Sequence, residues 1–225
     1  LLSLVFFSAM LAGVFGWIMV ASGLKDRPWV NAYKLALHLS IALITLAWLL
    51  IATYRSFFLN VLTTEKSLTK FTRVVFALLC IQIFLGAILS GTRAALIYPS
   101  WPDIGNEIIP GILLNWKSWS LENFNHYDKS LFFPALIHLL HRTMGYIVFA
   151  LGIYWVIKSI RTSNLRHIKW TSLLFGALLI CQVALGIMTL LLSKGSIPVL
   201  YGVMHQAVAI LLFAVLLFNL YIRGI

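Results

Sequence analysis

Four of the six histidines lie inside long apolar stretches, where ionisable side chains are rare. They are His38, His138, His141 and His205. A histidine within a membrane span is costly and therefore indicates function, and a neutral imidazole is the commonest protein ligand for a metal. Two imidazoles from neighbouring helices could hold a haem iron from both sides. The alternative interpretation is that each histidine hydrogen-bonds to an adjacent helix.

The four histidines are predicted to share one depth in the membrane. With a rise of about 1.5 Å per residue, His38 lies roughly 6 Å, His205 roughly 9 Å, and the other two roughly 10 to 15 Å below the outer end of their spans. Unrelated structural histidines have no reason to share a level. His138 and His141 are three residues apart on one helix face, so only one is expected to be an axial ligand. Their spacing leaves open which one.

Arg142 directly follows His141 inside the fourth predicted span and is the one cation that is not assigned to a loop, a terminus or a span end. A guanidinium can pair bidentately with a carboxylate such as a haem propionate. The alternative is that Arg142 extends to the membrane interface, but its depth disfavours this. The predicted spans contain no acidic residue and no His–Cys cluster of the kind used by zinc, copper or non-haem iron sites. Haem is therefore the favoured iron-bearing group.

Six membrane-spanning helices are needed to position these residues. The 225 residues are 61% hydrophobic and only 10% charged, against roughly 25% charged in an ordinary soluble domain. Apolar runs long enough to cross a bilayer occur at 1–23, 34–54, 71–92, 131–157, 170–192 and 199–222. We therefore predict an all-α integral membrane protein. Its one long loop, residues 93–130, is expected to lie against the outer membrane surface.

The net charge of +11 is explained by the distribution of cations between the loops. Two loops are rich in Lys and Arg, so they and both termini are predicted to be cytoplasmic, with the histidines in the outer half of the membrane. No nucleic-acid partner is needed to account for the charge. Both cysteines lie in apolar spans, so no disulfide framework is predicted. The loop cations are Arg55, Lys66, Lys70 and Arg73, with Glu65 between them, and Lys158, Arg161, Arg166 and Lys169.

A weak internal repeat relates the helix pairs. The third and fifth spans carry a glutamine followed four residues later by a glycine, at Gln82 and Gly86 and at Gln182 and Gly186. The first and second spans also resemble the fifth and sixth around their glycine and histidine. A four-helix unit made of the last four spans would need two helices before residue 1 to complete its partner. Membrane proteins built from repeats place their sites at the repeat interface.

The chain resembles the haem A synthase family over nearly its whole length. Each motif is weak alone, but their order and separation are specific together. In chain order they are GWIMV at 16–20, SGL at 22–24, LALHL at 35–39, Gln82 with GA at 86–87, SGTRAA at 90–95, Tyr98 with WP at 101–102, HR at 141–142, Gln182 with LGI at 185–187, and HQ at 205–206.

This resemblance implies eight transmembrane helices in two pseudo-symmetric four-helix halves, of which this chain resembles the last six. Residues 1–60 then match the second helix pair of the half that holds the substrate haem O, and 61–225 match the half that holds haem b. His141 and His205 match the axial ligands of haem b, with Arg142 and His138 beside them, and His38 matches the second histidine of the substrate half. The first histidine and a catalytic glutamate have no counterpart here. The chain is therefore expected to be N-terminally truncated and catalytically poor alone.

The implied reaction is oxidation of the C8 methyl group of haem O to a formyl group by successive hydroxylations, which gives haem A for terminal oxidases. The implied partners are an unidentified electron donor and haem O synthase or oxidase assembly factors. The charge bias fits a bacterial cytoplasmic membrane and a mitochondrial inner membrane equally well, and we favour the bacterial one. Two alternatives stay open. A six-helix b-type electron carrier would also need paired histidines, usually near both membrane faces. A haem-free transporter or structural subunit would leave the shared histidine depth and Arg142 unexplained.

Overall fold

Six long helices account for most of the computed structural model, which describes residues 1–23, 29–58 and 68–224. All six are long and apolar enough to cross a membrane, so the prediction of an all-α integral membrane protein with six spans is confirmed. The sequence features at Leu24, Glu65 and Lys66 and the boundary between 60 and 61 lie outside the described residues. The helices are α1 (Leu2–Ala21), α2 (Ala32–Phe57), α3 (Thr69–Thr92), α4 (Phe132–Thr162), α5 (Arg166–Leu191) and α6 (Val199–Ile222).

Local sequence signals explain several helix ends. The Asn31 side chain accepts hydrogen bonds from the backbone N–H groups of Tyr33 and Lys34, which begins α2 two residues before the predicted apolar run. Arg93, with φ of 54°, ends α3 in the left-handed conformation. Pro198 stands immediately before α6, where its missing N–H costs nothing.

Four helices are longer than the apolar runs that predicted them. α2 continues to Phe57 rather than 54, α3 begins at Thr69 rather than 71, α4 continues to Thr162 rather than 157, and α5 begins at Arg166 rather than 170. His167, which the sequence suggested was in a loop, therefore belongs to the first turn of α5. Apolar composition reports only the hydrocarbon core, whereas a helix continues to satisfy its own backbone hydrogen bonds in the polar interface.

The long helices pack in consecutive pairs: α1 lies against α2, α3 against α4, and α5 against α6. Further contacts join α2 to α3, α4 to α5, and α6 to both α3 and α2. The helices α3 to α6 share a core that includes the fully buried Trp155, Phe175, Leu212 and Leu216. No residue of α1, Leu2–Ala21, is buried. The last four helices therefore form a bundle, with α2 along one side and α1 outside it.

The contact of α2 with the bundle depends on small residues. A Cβ added to Gly91 of α3 would lie 2.6 Å from the Cα atom of Ala32, which is closer than any side chain can approach. Towards the other end of α2, the Tyr54 hydroxyl donates a hydrogen bond of 3.0 Å to the backbone oxygen of Ala214 in α6. These two contacts fix α2 against the bundle at both of its ends.

The segment between α3 and α4 was predicted as one long loop, but it contains short helical turns. It holds the start of α2 against the start of α4, since the Tyr127 hydroxyl accepts a hydrogen bond of 2.8 Å from the Ala32 N–H, and Tyr127 also packs against Phe133. The Tyr33 hydroxyl donates a bond of 2.7 Å to the Phe124 backbone oxygen. The turns are Ala94–Ile97, Gly111–Leu114, Trp116–Ser118, Leu121–Asn125 and Tyr127–Lys129.

Candidate functional site

Three helix pairs each pack an imidazole against a glycine of the preceding helix. A Cβ added to each glycine would lie only 2.8 to 3.1 Å from the imidazole Cε1 atom, so a larger residue would displace the ring. The same contact in α1–α2, α3–α4 and α5–α6 supports the internal repeat that the sequence predicts. The three pairs are Gly16 with His38, Gly86 with His141, and Gly186 with His205.

Four histidines lie near the starts of their helices. His38, His138 and His205 are each six residues after the first residue of α2, α4 and α6, and His141 is nine residues after it. At the usual helical rise these offsets are roughly 9 to 14 Å. The offsets are similar in the three helices, and a common depth of the histidines in the membrane stays a prediction.

His141 and His205 share a glutamine contact at Nε2 but differ at Nδ1, which at His141 has no hydrogen-bond partner among the described residues. The side-chain nitrogen of Gln82 is 3.3 Å from His141 Nε2, and that of Gln182 is 3.2 Å from His205 Nε2. His205 Nδ1 lies 3.0 Å from the backbone oxygen of Gln182 and donates its proton there, which leaves Nε2 with the free lone pair. The two residues that the family resemblance pairs therefore each contact a glutamine side chain of the preceding helix.

His38 lies apart from this pair, between α1 and α2. Its Nδ1 donates a hydrogen bond of 3.0 Å to the backbone oxygen of Ala12, four residues before Gly16. The carbonyl that bonds to His205 likewise lies four residues before Gly186. The first helix pair therefore repeats the backbone contact of the last pair, with alanine where the other two pairs have glutamine.

His138 has different surroundings from His141, although the two share a helix face. Its side chain is 2% exposed, its ring meets the edge of the Tyr98 ring at 6.2 Å, and neither ring nitrogen has a hydrogen-bond partner among the described residues. Burial raises the pKa of the Tyr98 phenol above its ordinary value, and the charge of Glu107 acts in the same direction. His138 is thus covered by a neutral ring of the outer segment and lacks the glycine and glutamine contacts of His141.

Arg142 attaches the outer segment to α4. Its Nη2 donates a hydrogen bond of 2.5 Å to the Ser100 backbone oxygen, and its Nη1 donates to the backbone oxygens of Pro102, at 3.2 Å, and Asp103. Its Nε is buried and has no partner within the described part of the chain. The guanidinium that the sequence assigned to a haem propionate therefore already uses two of its nitrogens to hold a loop. Sequence patterns gave no signal for these three carbonyl partners.

The arrangement of unpartnered polar atoms fits a haem. The described residues have eleven buried side-chain nitrogen and oxygen atoms that make no hydrogen bond. Six of these atoms belong to five residues of this candidate site. Buried polar groups are normally paired, so this cluster indicates space for another polar group. Two neutral imidazoles from different helices are the donor set of a bis-histidine haem. No three His, Cys, Asp or Glu side chains in the described chain are grouped to hold a bare metal ion. The five residues are Gln82, His138, His141, Arg142 and Gln182.

The fold and the site define a class: a helical integral membrane protein with histidines from different spans brought together inside a bundle. The family model COX15-CtaA, described as cytochrome oxidase assembly protein, matches residues 1–217, and the chain belongs to this family.

Known relatives of this chain include several haem A synthases. The protein from Sinorhizobium fredii is 35% identical over 206 residues, which are 88% of this chain and 52% of that protein. The protein from Rickettsia prowazekii is 35% identical over 208 residues, 91% of this chain and 58% of the relative. The chain thus spans somewhat more than half the length of the curated relatives it matches.

Proposed function

We propose that this chain acts in haem A synthesis as an oxidoreductase that converts the C8 methyl group of haem O to a formyl group. Haem A synthases about 35% identical to this chain support the proposal. The whole reaction is proposed for a protein of the relatives' full length, because this chain matches only part of them. The function proposed for the described residues themselves is to hold haem b between α4 and α6.

The observation that carries this proposal is the matched pair His141 and His205. Each imidazole lies against a glycine and beside a glutamine of the preceding helix. Their Nε2 lone pairs would bind the iron, and the Gln182 carbonyl holds His205 in the required tautomer. A haem with two histidine ligands is coordinatively saturated, so it supplies electron transfer rather than oxygen binding.

His138 and Arg142 have supporting roles in this proposal. Arg142 holds the loop carbonyls over the site, and its unpartnered Nε is available to a propionate. His138, buried beneath Tyr98, helps to close the outer end of the site and to exclude water from it. We propose His141 rather than His138 as the axial ligand because it shares the glycine and glutamine contacts of His205.

His38 belongs to the substrate side of the proposal. Residues 1–60 would form part of the half that binds haem O and releases haem A, and residues 61–225 would form the haem b half. The contact between His38 and Gly16 supports an equivalent role for the first helix pair. A site that oxidises a methyl group must also exclude water from the oxidising species.

The proposed location is the bacterial cytoplasmic membrane, with both termini in the cytoplasm and the haem sites in the outer half. The cations at the end of α4 and the start of α5 support this orientation. The proposal requires an electron donor, whose identity the chain does not encode in any motif. Haem O synthase and oxidase assembly factors are proposed contacts.

A reduced-minus-oxidised absorbance spectrum of the detergent-purified chain tests the haem b site, with acid-acetone extraction to identify the haem. We expect a low-spin haem b spectrum that His141→Ala and His205→Ala each abolish, because one axial ligand is lost. His38→Ala should leave it in place, as should the control His126→Ala in the exposed outer segment.

The other outcomes of this experiment favour the alternatives. If the chain binds haem b but a full-length relative with the same site fails to convert haem O, the result favours a b-type electron carrier. Absence of haem even after reconstitution would favour a transporter or structural subunit. If His138 rather than His141 is indispensable, the axial assignment is wrong.

A further inference from the structure

All three glutamines of the chain lie inside the membrane spans, and two of them, Gln82 and Gln182, each contact one histidine of the proposed haem b pair. The amide nitrogen of Gln82 is 3.3 Å from His141 Nε2, and that of Gln182 is 3.2 Å from His205 Nε2. Both amide oxygens are buried without a hydrogen-bond partner among the described residues. The amides therefore make their contact with the imidazole nitrogens and leave their own acceptors unsatisfied.

At His205 a single residue holds both ring nitrogens. The backbone oxygen of Gln182 accepts the proton of Nδ1 at 3.0 Å, which makes Nε2 the unprotonated acceptor of the ring. The Gln182 amide then donates to Nε2. An imidazole nitrogen has one lone pair in the ring plane, and this lone pair can bind either the amide proton or an iron. The amide and a haem iron must therefore compete for the same atom.

The first helix pair lacks this competitor. Its carbonyl contact is present, from His38 Nδ1 to the oxygen of Ala12, but the side chain at that position is a methyl group. Ala12 is four residues before Gly16, as Gln82 is before Gly86. One repeated position thus carries an amide at two histidines and none at the third.

We propose that Gln82 and Gln182 are positioning residues that gate haem loading at His141 and His205, whereas the site at His38 has no gate. Each amide must leave Nε2 before iron binds there. This inference rests on the proposed function, in which haem b is loaded once and kept, while haem O enters and haem A leaves in every turnover. Slow loading is tolerable at the haem b site, but it would be harmful at the site that exchanges haem O and haem A.

The test measures the rate at which ferric haem b binds to the detergent-solubilised chain after haem removal, from the growth of the low-spin absorbance in stopped flow. Gln82→Leu and Gln182→Leu remove the amide at similar size. Because a neutral hydrogen bond is lost from the unloaded site, each should raise the association rate by about 3-fold to 10-fold. The control Gln206→Leu changes an exposed glutamine on α6 and should leave the rate unchanged.

Two further variants keep the test decisive if leucine impairs folding. Gln82→Asn and Gln182→Asn keep a polar side chain but shorten its reach by one methylene, so they should accelerate binding as well. Unchanged or slower binding in the folded variants would overturn the gate, and faster loss of bound haem would show that the amides support the loaded site instead. If the unsubstituted chain forms no low-spin haem, or if His205→Ala forms it normally, the proposed function itself fails.

Discussion

At the scale of single residues, the glycine beside each histidine sets the position of the ring. A methyl group on Gly186 would lie 2.8 Å from His205 Cε1, and the ring is also held from the side by the Gln182 carbonyl. The imidazole therefore has one position, fixed by a missing side chain and a backbone acceptor. The same holds at His38, where the carbonyl belongs to Ala12.

Gly186→Ala should weaken haem b binding by roughly tenfold or more, because a displacement of His205 misaligns an axial ligand. Gly202→Ala is the matched control: it lies on α6 near His205, and a Cβ there would meet nothing within 4 Å. Equilibrium titration with haem compares the two variants. Equal affinities would show that the ring tolerates the added methyl group.

Arg142→Leu should loosen the outer segment, because the carbonyls of Ser100, Pro102 and Asp103 lose a charged donor. Hydrogen bonds to charged groups contribute about 1.5 to 3 kcal/mol, so a loss of that order in the free energy of unfolding is expected. Hydrogen exchange of residues 98–107 should accelerate, and haem retention or the haem midpoint potential should change as well. Arg73→Leu, at an exposed position of α3, is the control. Unaltered exchange would show that the loop is held by other contacts.

At the scale of helices, the fold is a set of pairs, each with its histidine on the second member and its glycine on the first. Pairing α3 with α4 and α5 with α6 creates two similar half-sites, and the contacts of α4 with α5 and of α3 with α6 join them. The buried bond of 2.9 Å from Trp155 Nε1 to Thr72 Oγ1 fixes α4 against α3. The position of His141 relative to His205 therefore depends on how the pairs dock.

Gly91→Ala should destabilise the docking of α2 on α3 by about 1 to 3 kcal/mol, the usual cost of overpacking. The added methyl group would collide with the backbone of Ala32, which cannot rotate away. Gly13→Ala on α1 is the control, since nothing lies within 4 Å of its Cβ position and alanine favours the helix. The midpoint temperature of thermal unfolding in detergent should be lower for Gly91→Ala and unchanged for Gly13→Ala. Equal midpoints for the two variants would contradict the close crossing of α2 and α3.

At the scale of the whole molecule, one end of the bundle is capped by the segment between α3 and α4. This segment bonds to the start of α2 through Tyr127 and to α4 through Arg142, so the histidine level lies beneath a folded cap. Several of its apolar side chains stay exposed, including Ile108, Leu114, Trp116 and Leu121. These are the residues expected to meet the outer membrane surface.

Labelling with a membrane-impermeant thiol reagent tests the predicted orientation in intact cells. In a background with Cys80→Ala and Cys181→Ala, the exposed position Ser120→Cys should react from outside, whereas Arg161→Cys should react only after the membrane is permeabilised. If Arg161→Cys reacts from outside and Ser120→Cys reacts only after permeabilisation, the predicted orientation is wrong.

The sequence by itself determined the class of fold and the candidate residues. Apolar runs of membrane-spanning length predict helices whatever they pack against, because an unpaired backbone is too costly in lipid. The histidines inside the predicted spans, and Arg142 beside one of them, were identifiable for the same energetic reason. The repeated spacing of Gln82 to Gly86 and Gln182 to Gly186 also indicated which helix pairs are alike.

Only the tertiary structure decided how these residues meet. The spacing of His138 and His141 left them equivalent because they share a helix face, and the docking of α3 against α4 gave Gly86 and Gln82 to His141 alone of the two. The tertiary structure also places Arg142 in hydrogen bonds with backbone carbonyls some 40 residues earlier in the chain. Backbone acceptors carry no side-chain identity, so their partners cannot be read from composition or periodicity. They depend on contacts between segments far apart in sequence, which only the packed bundle creates.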